Sequence, residues 1–309
     1  MINFERFSNI FDLTDYFDSE AKCRKAIFDS RWNKKDIVCP FCGQHHCVSR
    51  TDGRFHCPGC NANFSVLVGT IFENTKISLR KWFIAMYLIS SHKKGISSCQ
   101  LARDIHVTQK TAWYILHKVR TLYRQYDDVA LEGEVEVDEM YLGGRETNKH
   151  ESKKTLGTQG RSTKTKAPIF GMVARYGEAR ALVVPDTRAV TLLPIIKQFV
   201  ADNTHIFTDE LSAYSNLEEE GYGHSVIRHG LREYSKAGVT TNTIEGFWAH
   251  FKRCIFGTYH FVSKVYLQRY VDESIYRYNT RRMNESKRFS YMFKKAIGNC
   301  YYSDVRIMA

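Results

Sequence analysis

Two groups of residues in this chain have the types and spacing to do chemistry. Cys39-Pro-Phe-Cys42 and Cys57-Pro-Gly-Cys60 are paired C-x-x-C knuckles. Four thiolates so arranged can close a tetrahedral site, each knuckle clamping the ion from one side, and Zn2+ suits soft sulfur ligands. Four protein ligands leave no open position, so one structural zinc is expected. Cys47, His45, His46 and His56 lie inside the loop and are expected to be spectators.

The second group is acidic. Asp138 lies in Glu134-Val-Glu-Val-Asp138-Glu, Asp209 in His205-Ile-Phe-Thr-Asp209, and Glu245 in Thr241-Asn-Thr-Ile-Glu245-Gly-Phe-Trp. Carboxylates at strand ends and a helix start can converge on two Mg2+ (or Mn2+) ions roughly 3.5–4 Å apart, a device for phosphoryl transfer. An isolated aspartate is ordinarily a surface charge; the combination carries more weight. There are 35 residues between Asp209 and Glu245, and Lys252 follows two helical turns after Glu245, placed to meet a phosphate. Asn242 and Glu245 are i, i+3 neighbours on one helix face. Spacing and charge favour Glu245 as the third ligand, with Asn242 in reserve. Glu136, Glu139 and Glu210 are assigned no catalytic role; Glu139 and Glu210 flank the site and could tune it, but by strand alternation they point away from it. Trp248 and Phe247 read as core. His229 and His260 could approach the site, although a lone histidine is more often satisfied locally.

These residues need elements to hold them. Residues 1–36 read as short amphipathic helices, and residues 37–70 as a ribbon of short strands too small for a core of its own. Helical apolar spacing begins near Leu79. From Ile96 to Ile115 the pattern is helix, short turn, helix, within a helix-turn-helix region at 77–127. Thr108 is a natural N-cap for the second helix, which would present Gln109, Lys110, Thr111 and Tyr114 to a DNA groove. Alternation from Gly133 gives a strand ended by Gly143-Gly144. Strands are expected at 169–174, 180–184, 205–208 and 225–228, helices at about 190–200 and 243–254, and a helical turn near 211–217. Residues 145–166 carry seven Lys/Arg against two Glu and no apolar stripe. They read as a basic loop offering Lys153, Lys154, Arg161, Lys164 and Lys166 to DNA backbone. The mixed strand and helix pattern is read over 130–285; helical, arginine-rich sequence closes the chain, with 286–309 as a C-terminal tail.

The bulk composition agrees. Lys and Arg outnumber Asp and Glu by 45 to 33, a net charge of +12 in 309 residues, which favours a polyanionic partner. No run of eighteen apolar residues could span a bilayer, and the acidic, aromatic N-terminus is unlike a secretory signal. A cytoplasmic location follows, where nine cysteines do not imply disulfides.

From Cys39 to about Asn279 the chain resembles bacterial insertion-sequence transposases with an N-terminal zinc ribbon, of the ISXO type. The resemblance lies in Cys-Pro-x-Cys-Gly, Val-Asp138-Glu-x-Tyr-x-Gly-Gly, Thr-Asp209, Thr-Asn242-Thr-Ile-Glu245-Gly-Phe-Trp, Phe-Lys252-Arg and Gly257-Thr-Tyr-His260. It implies an α/β, RNase H-like catalytic core of DDE type, a mixed sheet flanked by helices. It also implies Mg2+ and action on terminal inverted repeats, with a homo-oligomer expected on DNA ends. The rival expectations are a DNA-binding regulator with inert acids, and a nuclease that cuts without joining.

Overall fold

The nine residues from Glu134 to Leu142 alternate apolar and polar and form strand β4, the centre of a five-stranded sheet in order β6-β5-β4-β7-β8. In this computed structural model residues 4–32, 36–124, 129–143, 150–155, 162–227 and 240–298 are described. The chain divides into two units, one of residues 123–281 and one joining 1–122 to 282–309.

In the 123–281 unit, β5 (Ala167–Ala174) is buried along its whole length, as a strand covered on both faces must be. It pairs antiparallel with β4, Asp138 opposite Gly171, and with β6 (Ala179–Val183). On the other side of β4, β7 (His205–Thr208) and β8 (Gly223–Val226) run parallel. Helix α6 (Ala189–Phe199) contributes Leu192 and Ile196 to one core with Val135, Val137, Phe170 and Met172. Helices α7 (Asn242–Cys254) and α8 (Leu267–Asn279) pack a second core with Met140, Ile169 and Val173. Two cores divided by a mixed sheet make the α/β, RNase H-like architecture expected from sequence.

The other unit begins with α1 (Ile10–Tyr16) and α2 (Glu20–Trp32), then a three-stranded antiparallel ribbon of β1 (Val48–Ser49), β2 (Phe55–His56) and β3 (Asn63–Phe64). The ribbon borrows its core: Phe55 and Phe64 pack on Trp32, and Phe55 stacks on Phe28. Helices α3 (Leu79–Ser91), α4 (Ser98–Asp104) and α5 (Gln109–Thr121) follow. At the helical end of the chain Glu285–Ile297 form helix α9, capped by Asn284, and where a tail was expected this helix is part of the core. Its Phe289 and Phe293 are fully buried and contact Phe4, while Phe293 also meets Phe83. The amphipathic spacing of Phe289, Met292, Phe293 and Ala296 is the physical reason that α9 docks.

Candidate active site and metal centre

The two knuckles of the ribbon are built alike. In each, the residue after the second cysteine, Gly43 or Asn61, turns through positive φ, and backbone N–H groups close on the loop. Cys39 N donates to Gln44 O (2.8 Å) and Cys57 N to Ala62 O (2.9 Å). The Sγ atoms of Cys39, Cys42, Cys57 and Cys60 all lie within 4.8 Å of one another, with Cys39–Cys60 at 3.7 Å and Cys42–Cys57 at 3.5 Å. A tetrahedral ion about 2.3 Å from each sulfur needs sulfurs about 3.8 Å apart. The donor set therefore fits zinc in both chemistry and spacing. Crowding sets the thiols against one another: Cys57 is acidified, chiefly by the Cys60 N–H, while Cys60 and Cys42 are pushed up. Cys47 lies outside the four, its Sγ near Gln44 O, and His45 and His46 pair with Asp36.

The helix-turn-helix has the cap its sequence promised. Thr108 Oγ1 accepts from Thr111 N (3.2 Å). Gln109 and Lys110 are exposed, Thr111 is half-exposed, and Tyr114 is exposed with the Lys118 ammonium 5.5 Å from its ring. Lys118 itself is buried and donates to Ile71 O (2.8 Å), fixing α5 from below.

The acids assemble around β4. Extending the β4–β7 parallel register two residues beyond its last pairs sets Asp138 beside Asp209, which immediately follows β7. Oxygens of Asp138, Asp209 and Glu139 lie within 4.8 Å of one another. The expectation for Glu139 is thus corrected. Glu139 lies beyond the stretch of β4 that β7 pairs, and one of its oxygens joins the cluster rather than pointing away from it. Asp209 is buried and accepts from Leu211 N (2.9 Å). Glu245, exposed in the first turn of α7, lies outside the 4.8 Å cluster but acts on Asp138 through its charge. Burial, then the charges of Asp209 and Glu245, raise the Asp138 carboxyl to about 7, against the pull of the Glu139 N–H and the Trp248 indole N–H. Hard oxygens crowded until one resists ionisation suit a divalent cation.

Helix α7 is seated with care. Glu136, fully buried on the same strand face as Asp138, accepts from Thr243 N (2.8 Å), Thr243 Oγ1 (3.0 Å) and Ile244 N (3.0 Å). It thereby satisfies donors that the first turn of a helix leaves open, at the positive end of its dipole. Arg175 Nε donates to Glu136 (2.9 Å), Nη1 to Glu134 (2.8 Å) and Nη2 to Thr240 O (2.8 Å), and its guanidinium lies 4.0 Å from the Phe207 ring centroid. One buried ion pair thus ties β4, the β5–β6 hairpin, β7 and the start of α7. Sequence reasoning set Glu136 aside; its only local signal was an acid on the inward face of a buried strand. Opposite Asp138, Gly171 gives Trp248 room: a Cβ there would lie 2.5 Å from Trp248 Cζ2. Trp248 and Phe247 are core, as expected.

Asn242, exposed, opens α7, and Lys252, exposed, lies in its last turn. Between β4 and β5, Lys153, Lys154 and Lys164 are exposed and Lys166 is half-buried beside the strand. Arg161, His229 and the loop residues 144–149 and 156–161 lie outside the described residues.

Comparison with known proteins agrees with this geometry. A family model of the ISXO2-like transposase domain matches residues 130–279, and one of the transposase zinc-ribbon domain matches residues 18–63. An uncharacterized protein in transposable element ISH50 of Halobacterium salinarum is 31% identical over 246 residues, 74% of this chain and 81% of that protein. An uncharacterized transposase-like protein of Haemophilus influenzae is 30% identical over 98 residues, 32% of this chain and 78% of that one. The zinc-ribbon match begins within the helices before the knuckles, consistent with the aromatic core that α2 lends the ribbon. The chain belongs to the ISXO2-like transposase family with an N-terminal transposase zinc ribbon.

Proposed function

We propose that this transposase binds the terminal inverted repeats of an insertion sequence and catalyses metal-dependent strand cleavage followed by strand transfer. The observation that carries the reading is the convergence of Asp138 and Asp209 from adjacent parallel strands, beside a helix start bearing Glu245. Asp138 and Asp209 would hold Mg2+ or Mn2+, with Glu245 completing the set and Asn242 as the alternative third residue. Bound divalent cations there would activate an attacking oxygen and stabilise a leaving one.

The chain's own groups do the rest. Glu136 fixes the start of α7 against β4, which holds Glu245 on the side of the strand acids, near enough for its charge to act on Asp138. Lys252 and the lysines Lys153, Lys154, Lys164 and Lys166, with Arg161, would hold DNA phosphates. Gln109, Lys110, Thr111 and Tyr114 would meet the DNA at the exposed start of α5. Zinc held by Cys39, Cys42, Cys57 and Cys60 would be structural. No helix among the described residues is long and apolar enough to cross a membrane. A cytoplasmic, nucleoid-associated protein that oligomerises on paired DNA ends fits this reading.

The test is an assay of end cleavage and joining on labelled DNA with and without Mg2+. Wild-type protein should do both, and Asp138→Asn or Asp209→Asn should lose both by at least about a thousandfold while still binding DNA. Glu245→Gln should fall far below Asn242→Ala; the reverse order would move the third role to Asn242. Joining at wild-type rates by the aspartate variants would overturn the reading.

A further inference from the structure

The C-terminal end of α7 runs into a segment that the proposed chemistry leaves unused. Residues Ile255–Tyr259 form a π-helix, and His260 follows at φ 61, ψ −52, a conformation a non-glycine residue rarely adopts. π-turns and backbone outliers gather at functional sites because surrounding structure must impose them. Here the imposing structure is visible. Tyr259 OH donates to the buried Glu273 (3.0 Å), which is paired with the buried Arg277 (2.6 Å). Ile255 is in the core, and Tyr259, Val262 and Tyr266 pack against it. With these side chains tied inward, the alternate ones are driven out: Phe256 is 59% exposed, Phe261 78% and Val265 74%. Such aromatic exposure is unusual on a surface that has no use for it.

Apart from Glu273, which faces inward and is paired with Arg277, the charged residues along this stretch of chain have one sign. No Asp or Glu occurs between Glu245 and Asp272, whereas Lys252, Arg253, Lys264 and Arg269 fall in that span. Lys252, Arg253 and Lys264 are exposed, and Lys264 Nζ donates to Lys166 O (3.4 Å), joining this elbow to the foot of the basic connection between β4 and β5. Exposed aromatic rings set among cations are the composition of a stacking platform for unpaired bases: cations follow the phosphates while rings take the bases, whatever their identity. A paired duplex offers its phosphates but hides its base faces. A second copy of the chain would bring like charges together across a two-fold contact.

We propose that the elbow from Phe256 to Val265 holds unpaired bases of a locally opened DNA end, with Phe256 and Phe261 as the stacking rings. The proposal rests on the reading of the chain as a DNA-cutting transposase and adds the state of the DNA that it grips. Glu245 and the elbow are joined by ten residues of α7, roughly 15 Å along the helix axis. That span corresponds to about four nucleotides at 3.4 Å per step along one strand. The elbow would therefore grip a strand a few nucleotides from the bond being cut.

Two DNA probes test it: a blunt duplex, and the same duplex with three mismatched base pairs at one end, one of those bases being 2-aminopurine. Wild-type protein should bind the splayed duplex at least about tenfold more tightly at fixed salt and quench the aminopurine by stacking. Phe256→Ala with Phe261→Ala should abolish that preference and the quenching, with blunt-duplex affinity changed by less than about threefold. Both rings are exposed, so the variant should fold, and Phe261→Trp should retain quenching. Equal wild-type affinity for both probes, or an equal loss on both in the variant, overturns the proposal while leaving the transposase reading intact. A fall in the mass of the DNA-free protein on replacing the phenylalanines would make the patch a contact between copies and overturn it too. Failure of the wild type to bind either probe would overturn both readings.

Discussion

The zinc ribbon and the acid cluster are both convergences of like-charged ligands, yet they are held in opposite ways. In the ribbon, each pair of sulfurs is fixed by its own knuckle, through positive φ at Gly43 and Asn61 and through hydrogen bonds spanning a few residues. Three two-residue strands on a borrowed aromatic core give such loops little else to hold them, so an ion bound there would be part of the fold. In the acid cluster, by contrast, Asp138 and Asp209 are set by the register of a five-stranded sheet with a core on each face, and α7 is pinned by a buried carboxylate. There the fold is prior, and a bound ion would be a guest. A local site needs its metal to exist, whereas a site built from distant segments needs its metal only to work.

The sharpest way to break this contrast is to remove metal. Purified protein should carry about one zinc per chain. Chelation, or Cys57→Ser, should melt the ribbon, since structural zinc contributes on the order of 10 kcal/mol to small domains of this kind. Hydrogen exchange should then rise across residues 36–64 and stay slow in β4 and β5, whereas withdrawing Mg2+ alone should change neither. An ordered ribbon without zinc would erase the difference.

The second test attacks the prior fold of the acid site. Glu136→Ala strips Arg175 of its buried partner and leaves the Thr243 and Ile244 N–H groups open. A loss of about 3–5 kcal/mol is expected by denaturant unfolding, because two N–H donors at the start of α7 lose their acceptor at about 1–3 kcal/mol each and Arg175, though still held by Glu134 and Thr240 O, loses its buried partner. Glu136→Gln, which can still accept from the helix N–H groups, should lose less. A wild-type unfolding midpoint for Glu136→Ala would mean that α7 is held by apolar packing alone. A smaller effect is expected from Gly171→Ala, whose new methyl would meet the Trp248 ring. Overpacking of this kind costs about 1–3 kcal/mol. Because Trp248 lies beside Asp138, cleavage should fall more than stability does; equal losses would show that the ring only fills space.

How much of this was legible in the sequence follows the same division. The knuckles could be read directly, because each pair of ligands has only two residues between them and the backbone does the rest. Thr108 was legible as a cap, and His205–Thr208 as a strand, since both are decided by neighbours in sequence. Glu139 was misplaced because alternation describes a strand between partners, and β4 outruns β7 just where Glu139 sits. Glu136 could not be valued because its partners, Arg175 and the start of α7, are 39 and more than 100 residues away. Helix α9 carried a visible apolar stripe, but nothing local says that its partners are Phe4 and Phe83.

That last pairing has a consequence for how the protein is made. Phe289 and Phe293 complete a core whose other members, Phe4, Phe83 and Tyr87, are synthesised first. During translation the N-terminal unit waits with an aromatic surface open while the whole 123–281 unit emerges and can fold. A message cut short after residue 281 would leave that surface bare, so incomplete chains would tend to aggregate or be degraded before they could occupy DNA.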